Sequence, residues 1–239
     1  MSEELTEKGG GQTLIYCFFQ RIFLTLWHVL RTQQLIKMIK NLIFDFGKVL
    51  VGYDFERYLS SFIADPETRQ QFFQATCTKA FVDRCDKGES TFEELTAELQ
   101  SLYPQWHCEL QIFHDRQLEV LTGEVPGMRE LLTQLKREGF RLYGLTNWSH
   151  VVYQVMERYE IFKLLDGQLV SSDVKLIKPD PAIYHCLFQR FQIKPEESIF
   201  TDDKLENIVG SEAVGMRAIL FENARQYEQA LRRILQAAR

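Results

Sequence analysis

Residues 41–49, Asn41-Leu42-Ile43-Phe44-Asp45-Phe46-Gly47-Lys48-Val49, decide how this chain folds. Leu42-Ile43-Phe44 is a short continuous apolar run that stops at an acid. A strand covered on both faces reads this way, because the strands of parallel sheets are sandwiched between helices. Outward from it, apolar runs recur at 141–145, 168–170, 198–201 and 217–221, and helical patterns at 128–138, 151–159, 181–191 and 205–213 separate them. Strands that alternate with helices at this spacing predict an α/β, doubly wound, mostly parallel sheet. Ligands of such sheets gather beyond the carboxyl ends of the strands. That rule singles out Asp45, Thr146-Asn147 and Asp202-Asp203, each of which lies where an apolar run ends.

Between about Tyr53 and Glu124 the pattern is helical, with no convincing strand. Ser90-Thr91-Phe92-Glu93 reads as a capping box that opens a helix to about Leu102, and Pro66 is placed to start another through Phe72 and Phe73. The expected organisation is a core of residues 38–53 and 124–239, with an all-helical cap over 54–123 inserted after the first strand. Residues 1–37 form an N-terminal extension. Within it, 14–30 is apolar but interrupted by Gln20, Arg21, Thr25 and His28. The spacing of the last three fits an amphipathic helix and not a membrane span. Glu3, Glu4 and Glu7 make the leading stretch acidic where secretion signals are basic. Three readings of the extension stay open: a chain start at Met38, a helix docked on the body, or a helix for a membrane surface or a partner.

Composition narrows the function. Hydrophobic residues make up 45% and aromatic residues 13%, enough for a packed core. Against 33 acidic residues stand 28 basic ones, a formal charge of −5. Nucleic-acid binding, which needs basic surface, is disfavoured. The five cysteines, Cys17, Cys77, Cys85, Cys108 and Cys186, form no CxxC pair and have no histidine cluster beside them. Reduced thiols in a cytoplasmic protein, a monomer or a homodimer, are the expectation.

Four segments carry the chemistry: Asp45-Phe46-Gly47-Lys48-Val49, Leu145-Thr146-Asn147, Lys178-Pro179-Asp180, and Thr201-Asp202-Asp203 with Asn207 after it. Each alone is common. Their order, spacing and positions at strand ends together resemble the four motifs of the haloacid dehalogenase superfamily, over residues 38–239. The helical insertion resembles that family's C1-type cap, and the 32 residues from Thr146 to Lys178 leave no room for its C2 alternative. The resemblance implies a Rossmann-like core and hydrolysis of a small-molecule phosphate monoester. Asp45 would be the nucleophile, since a carboxylate can form and later release an aspartyl phosphate. The implied cofactor is Mg²⁺, a hard cation suited to oxygen ligands. Its ligands would be Asp45, the Gly47 carbonyl and Asp203, with Asp202 as a neighbouring acid. The resemblance also makes Thr146 a hydroxyl donor to phosphate, helped by backbone around Asn147. Lys178 would neutralise the phosphate and Asp45, and Asn207 would orient the metal carboxylates. Asp180 suits an N-cap and Pro181 the first helical position, so Lys178 stands just before a helix.

The sequence departs from the family pattern twice. Most family phosphatases carry a second Asp, the leaving-group acid, where this chain has Gly47. A positioned acid is worth about 10²–10⁴ in rate. Asp-x-Gly, with Lys87-Gly88-Glu89 in the cap, resembles a subgroup that includes sugar-1-phosphate phosphatases, whose leaving group needs little protonation. Lys48 stands where Gly is usual, and either faces solvent or adds charge near the leaving group. Two other readings remain: a metal-independent 2-haloacid dehalogenase, and a weakly active or non-catalytic binding module. His150, Trp148, Arg84 and Lys87 are further candidates for substrate contact.

Overall fold

The computed structural model describes residues 39–236. The readings of the N-terminal extension, and Cys17, lie outside them. The described strands are β1 (Asn41–Phe44), β2 (Val51–Tyr53), β3 (Leu121–Glu124), β4 (Arg141–Thr146), β5 (Gly167–Val170), β6 (Ser198–Asp202) and β7 (Arg217–Leu220). Five of them form one parallel sheet in the order β5-β4-β1-β6-β7, with β1 in the middle as its unbroken apolar run requires.

Residues along β1 alternate between two covered faces. Ile43 joins Leu145, Leu169 and Phe200 in a core closed by Ile183, Tyr184 and Leu187. These last three lie on a helix, Pro181–Phe191. Phe44 points the other way and meets Tyr227 edge-on, ring centroids 5.5 Å apart. Both faces of the sheet are therefore buried, and the fold is the expected doubly wound α/β.

Helices α1 (Phe55–Ser60), α2 (Pro66–Thr76), α3 (Lys79–Asp86), α4 (Phe92–Leu102) and α5 (His107–Asp115) follow β2. Each of the first four opens on a side-chain cap: Asp54, Asp65, Thr78 and Thr91 accept from the backbone N–H three residues on. The capping box sits one residue later than the sequence suggests. Thr91 and Glu94 make the reciprocal bonds, 3.0 and 2.8 Å. Tyr58, Phe72, Leu99, Leu110 and Phe113 form a separate aromatic-rich core for these helices.

One correction concerns the stretch read as strandless. Leu121–Glu124 is a strand, antiparallel to Val51–Tyr53. The two are short and far apart in sequence, and their pairing is so close that a Cβ on Gly52 would meet Thr122 Oγ1 at 2.4 Å. No local period signals such a pair. The hairpin-like ribbon carries the chain from the sheet into the helices and back. Among the described residues no helix is long and apolar enough to cross a membrane.

Candidate active site

Strand order alone brings three of the four motifs together. Phe44 of β1 is in register with Gly144 of β4 on one side and with Thr201 of β6 on the other. Asp45, Thr146 and Asp202 therefore emerge side by side at the same sheet edge. The Asp45 N–H donates to the Thr201 carbonyl at 2.9 Å, which holds the acid to its neighbour strand. Beyond Asp45 the chain turns sharply, with Leu50 and Val51 both donating to the Phe46 carbonyl. Phe46 is fully buried and lies over Gly144, where a Cβ would come within 2.3 Å of the ring. Lys48 takes φ +60, a conformation costly for any residue with a Cβ. This is the physical reason for the glycine usual there in the resembled family.

Lys178 is buried to 3% exposure, and its ammonium is fully engaged. It donates to Asp45 Oδ1 at 2.8 Å, Asp202 Oδ2 at 2.6 Å and the Leu145 carbonyl at 2.9 Å. Burial by itself would lower its pKa, but the charges and hydrogen bonds of Asp202 and Asp45 outweigh that and hold it above the usual lysine value. Asp45 is pushed up to about 6, chiefly by burial, although Lys178 pulls the other way. The helix cap expected after Lys178 is present: Asp180 accepts from the Ala182 N–H at 2.8 Å and Pro181 opens the helix.

Asn147 clasps the Lys178 backbone from both ends. Its Nδ2 donates to the Lys178 carbonyl at 2.9 Å and its Oδ1 accepts from the Lys178 N–H at 2.8 Å. Its amide is thus spent on holding Lys178. Thr146, by contrast, ends β4 facing the cavity, and its hydroxyl makes no hydrogen bond within the described protein.

The two adjacent acids differ sharply. Asp202 is completely buried and is bonded by Lys178, the Asn207 Nδ2 at 2.9 Å and the Lys204 N–H at 2.9 Å. Asp203 lines the cavity, half-buried, and accepts no hydrogen bond from the described residues. Its pKa is raised by burial and by Asp202, against the pull of Lys48. One oxygen each from Asp45, Asp202 and Asp203 lie within 4.8 Å of one another. Close by, Asn207 Oδ1 is buried with no partner among the described residues, an acceptor that wants a donor such as a bound water. Three converging carboxylates and an orphan acceptor fit a hard divalent cation with part of its water shell.

Sequence reasoning gave no role in the site to Tyr53 or Asp86, both of which line the cavity. Tyr53, half-buried, places its ring edge against Gly47, and burial with the surrounding acids pushes its hydroxyl up to about 12. Asp86, at the end of α3, faces the same cavity, and its pKa is raised to about 7 by burial foremost. A local sign did exist: Asp86 sits beside the Lys87-Gly88-Glu89 segment already singled out. Arg84 and Lys87 do not line the cavity. Arg84 makes a two-pronged pair with Glu98 at 3.1 and 2.9 Å, and Lys87 lies 3.8 Å from Glu89. Trp148 does line it. His150 is largely exposed and 3.7 Å from Asp173.

Three converging carboxylates around a buried lysine lie at the carboxyl edge of a parallel sheet, where folds of this class place their sites. The family model described as haloacid dehalogenase-like hydrolase matches residues 42–221, and the chain belongs to that family. It is 26% identical to the D-ribitol-5-phosphate phosphatase of Bacteroides thetaiotaomicron over 83% of this chain and 99% of that enzyme. It is 36% identical to a sesquiterpene phosphatase of Aspergillus oryzae over 37% of this chain, and spans about half the length of that enzyme (46%). Among solved structures, a haloacid dehalogenase family enzyme of Bacteroides thetaiotaomicron in its magnesium complex superposes with a TM-score of 0.66. That match has 21% identity and covers 82% of this chain and 99% of that one.

Proposed function

We propose that this hydrolase is a Mg²⁺-dependent phosphatase that cleaves a small-molecule phosphate monoester through an aspartyl phosphate on Asp45. The observation that carries the reading is the bridge of Lys178 between Asp45 and Asp202, with Asp203 turned to the cavity beside them. The converging acids favour a cation site over metal-free halide displacement, which has no use for them.

Asp45, Asp203 and the Gly47 carbonyl would hold the magnesium ion, with Asp202 and Asn207 behind them. When bound, it supplies positive charge to offset that of the phosphate and the carboxylates. The chain's own groups do the rest. Lys178 keeps Asp45 ionised and oriented and faces the incoming phosphate with a fixed positive charge. Thr146 donates its hydroxyl to a phosphate oxygen. A carboxylate oxygen of Asp45 bonds to phosphorus as the ester P–O bond breaks, and the leaving alkoxide takes a proton from water, since residue 47 is a glycine. Water then cleaves the acyl phosphate to free Asp45 and inorganic phosphate. Asn147 keeps Lys178 in place, and the helices α1–α5 act as a cap that shields the site from bulk water.

The two named relatives act on compounds at opposite ends of polarity. They support the phosphate end of the reading and leave the organic end open, sugar phosphates included. The test is phosphate release from a broad monoester panel, with Mg²⁺ and with EDTA, for the wild type and Asp45→Asn. Release that needs both Mg²⁺ and Asp45 supports the mechanism. Wild-type-like release by Asp45→Asn would overturn it.

A further inference from the structure

The cavity that starts at Asp45 has a volume of about 480 Å³ and runs from the sheet edge into the interior of the helical insertion. That is the size of a site for a ligand well beyond a three-carbon phosphate, since pockets for drug-sized ligands span roughly 300–1,000 Å³. The two ends differ in chemistry. At the sheet edge the lining is Asp45, Thr146, Lys178 and Asp203. Inside the helices it is Phe55, Phe81, Phe92, Leu95, Leu99 and Phe113.

Most hydroxyl protons on the helical side are already given to backbone carbonyls, and Gln117 is a further polar side chain that lines it. Thr76 donates its hydroxyl to the Phe72 carbonyl and Thr96 to the Phe92 carbonyl, both at 2.7 Å. The Tyr58 hydroxyl donates to the Phe113 carbonyl at 3.0 Å. Burial pushes the thiols of Cys77 and Cys85 up to about 11, so both are neutral near pH 7. Among the described residues no lysine or arginine lines the helical part, and Asp86 sits at its junction with the core. A sugar placed here would give up water at each hydroxyl for few partners, whereas a hydrocarbon chain gives up nothing it needs.

We infer that the substrate is the phosphate monoester of an elongated apolar alcohol, an alkyl or prenyl chain, whose tail lies among the helices while its phosphate meets Asp45. This rests on the phosphatase reading and narrows it. The same lining explains why the helices enclose a lumen at all. Phe55, Phe81, Phe92 and Val120 pack against the core formed by Phe72, Leu99 and Phe113 yet also border the cavity. A ligand tail would complete that core.

The test uses the full wild-type chain with Mg²⁺, and kcat/KM for methyl, butyl, octyl and geranyl phosphate beside ribitol 5-phosphate. Each added methylene that enters the cavity is expected to raise kcat/KM about fourfold until the lumen is full. A flat alkyl series, or ribitol 5-phosphate preferred over octyl phosphate, would overturn the inference. Failure of the catalytic reading shows differently, as no phosphate from any compound, p-nitrophenyl phosphate included. Binding then decides the tail site independently: calorimetric titration with octylphosphonate is expected to give a dissociation constant at least about tenfold below that of methylphosphonate. Equal affinities would overturn it.

Discussion

The ring of Tyr53 stands in the space that a side chain on residue 47 would enter. A Cβ built on Gly47 would lie 3.1 Å from Tyr53 Cε1, closer than all but a small fraction of real contacts. The space that the acid usual in the resembled family would enter, two residues after Asp45, is thus taken by an aromatic ring. Gly47 has no unusual φ, so its backbone tolerates a side chain, and only the ring must give way. Gly47→Asp alone is expected to lower Tm by a few degrees, about 1 kcal/mol of packing strain, with no gain in turnover on esters with poor leaving groups. Joined with Tyr53→Ala, the same substitution is expected to restore Tm relative to Gly47→Asp and to raise turnover on those esters. Thermal denaturation and phosphate release on the three variants check both statements.

Lys178 is the sole cation bonded to Asp45 and Asp202 among the described residues. Replacing it with Met would leave two buried carboxylates uncompensated. Removal of one partner from a buried ion pair costs about 3–5 kcal/mol. Lys178→Met is therefore expected to be destabilised by about that amount in urea titrations run with EDTA. Lys178→Met with Asp202→Asn is expected to recover part of the loss. A double variant no more stable than the single one would mean that Asp202 is protonated in its absence.

The sheet and the placing of Asp45, Thr146 and Asp202 at one edge were legible because both rest on local signals. Apolar runs that stop at Asp45, Thr146 and Asp202 are visible one at a time, and the order of a doubly wound sheet then brings them to one edge. The ribbon of Val51–Tyr53 with Leu121–Glu124 was not legible, since its pairing is made by chain ends brought together across the whole helical insertion. Spacing alone does not separate Asp202 from Asp203; in the sequence only the family resemblance set Asp203 apart as the metal ligand and Asp202 as its neighbour. Burial separates them, one turned inward to Lys178 and Asn207, the other outward to the cavity. The apolar lumen was invisible for a related reason. Phe81, Leu95 and Leu99 read as ordinary core positions of amphipathic helices, and only packing shows that part of that core is hollow.

Asn147 gives a test of positioning without direct chemistry. Its amide makes both bonds to the Lys178 backbone, so Asn147→Ala removes the clasp but leaves the ammonium and both carboxylates in the protein. Misplacement of a reacting group by about 1 Å can cost about 10²-fold. Asn147→Ala is expected to lower kcat by about that factor with KM changed less than threefold. A rise in KM with kcat intact would instead place the amide in substrate binding.

Asp86 sets a pH dependence of stability whose sign is fixed by its surroundings. Burial raises its pKa from 3.8 to about 7, while Lys204 opposes and Asp83 and Asp45 add. Between those two values the folded chain binds more protons than the unfolded one. Stability therefore falls as pH rises through that window, and the loss is complete above about pH 7. Asp86→Asn removes the titration and keeps the shape. The variant is expected to match the wild type near pH 4 and to exceed its Tm increasingly up to pH 7, by several degrees, in EDTA-treated protein. Parallel Tm curves for the two proteins across that range would show that Asp86 is ionised throughout, with Lys204 the stronger influence on it.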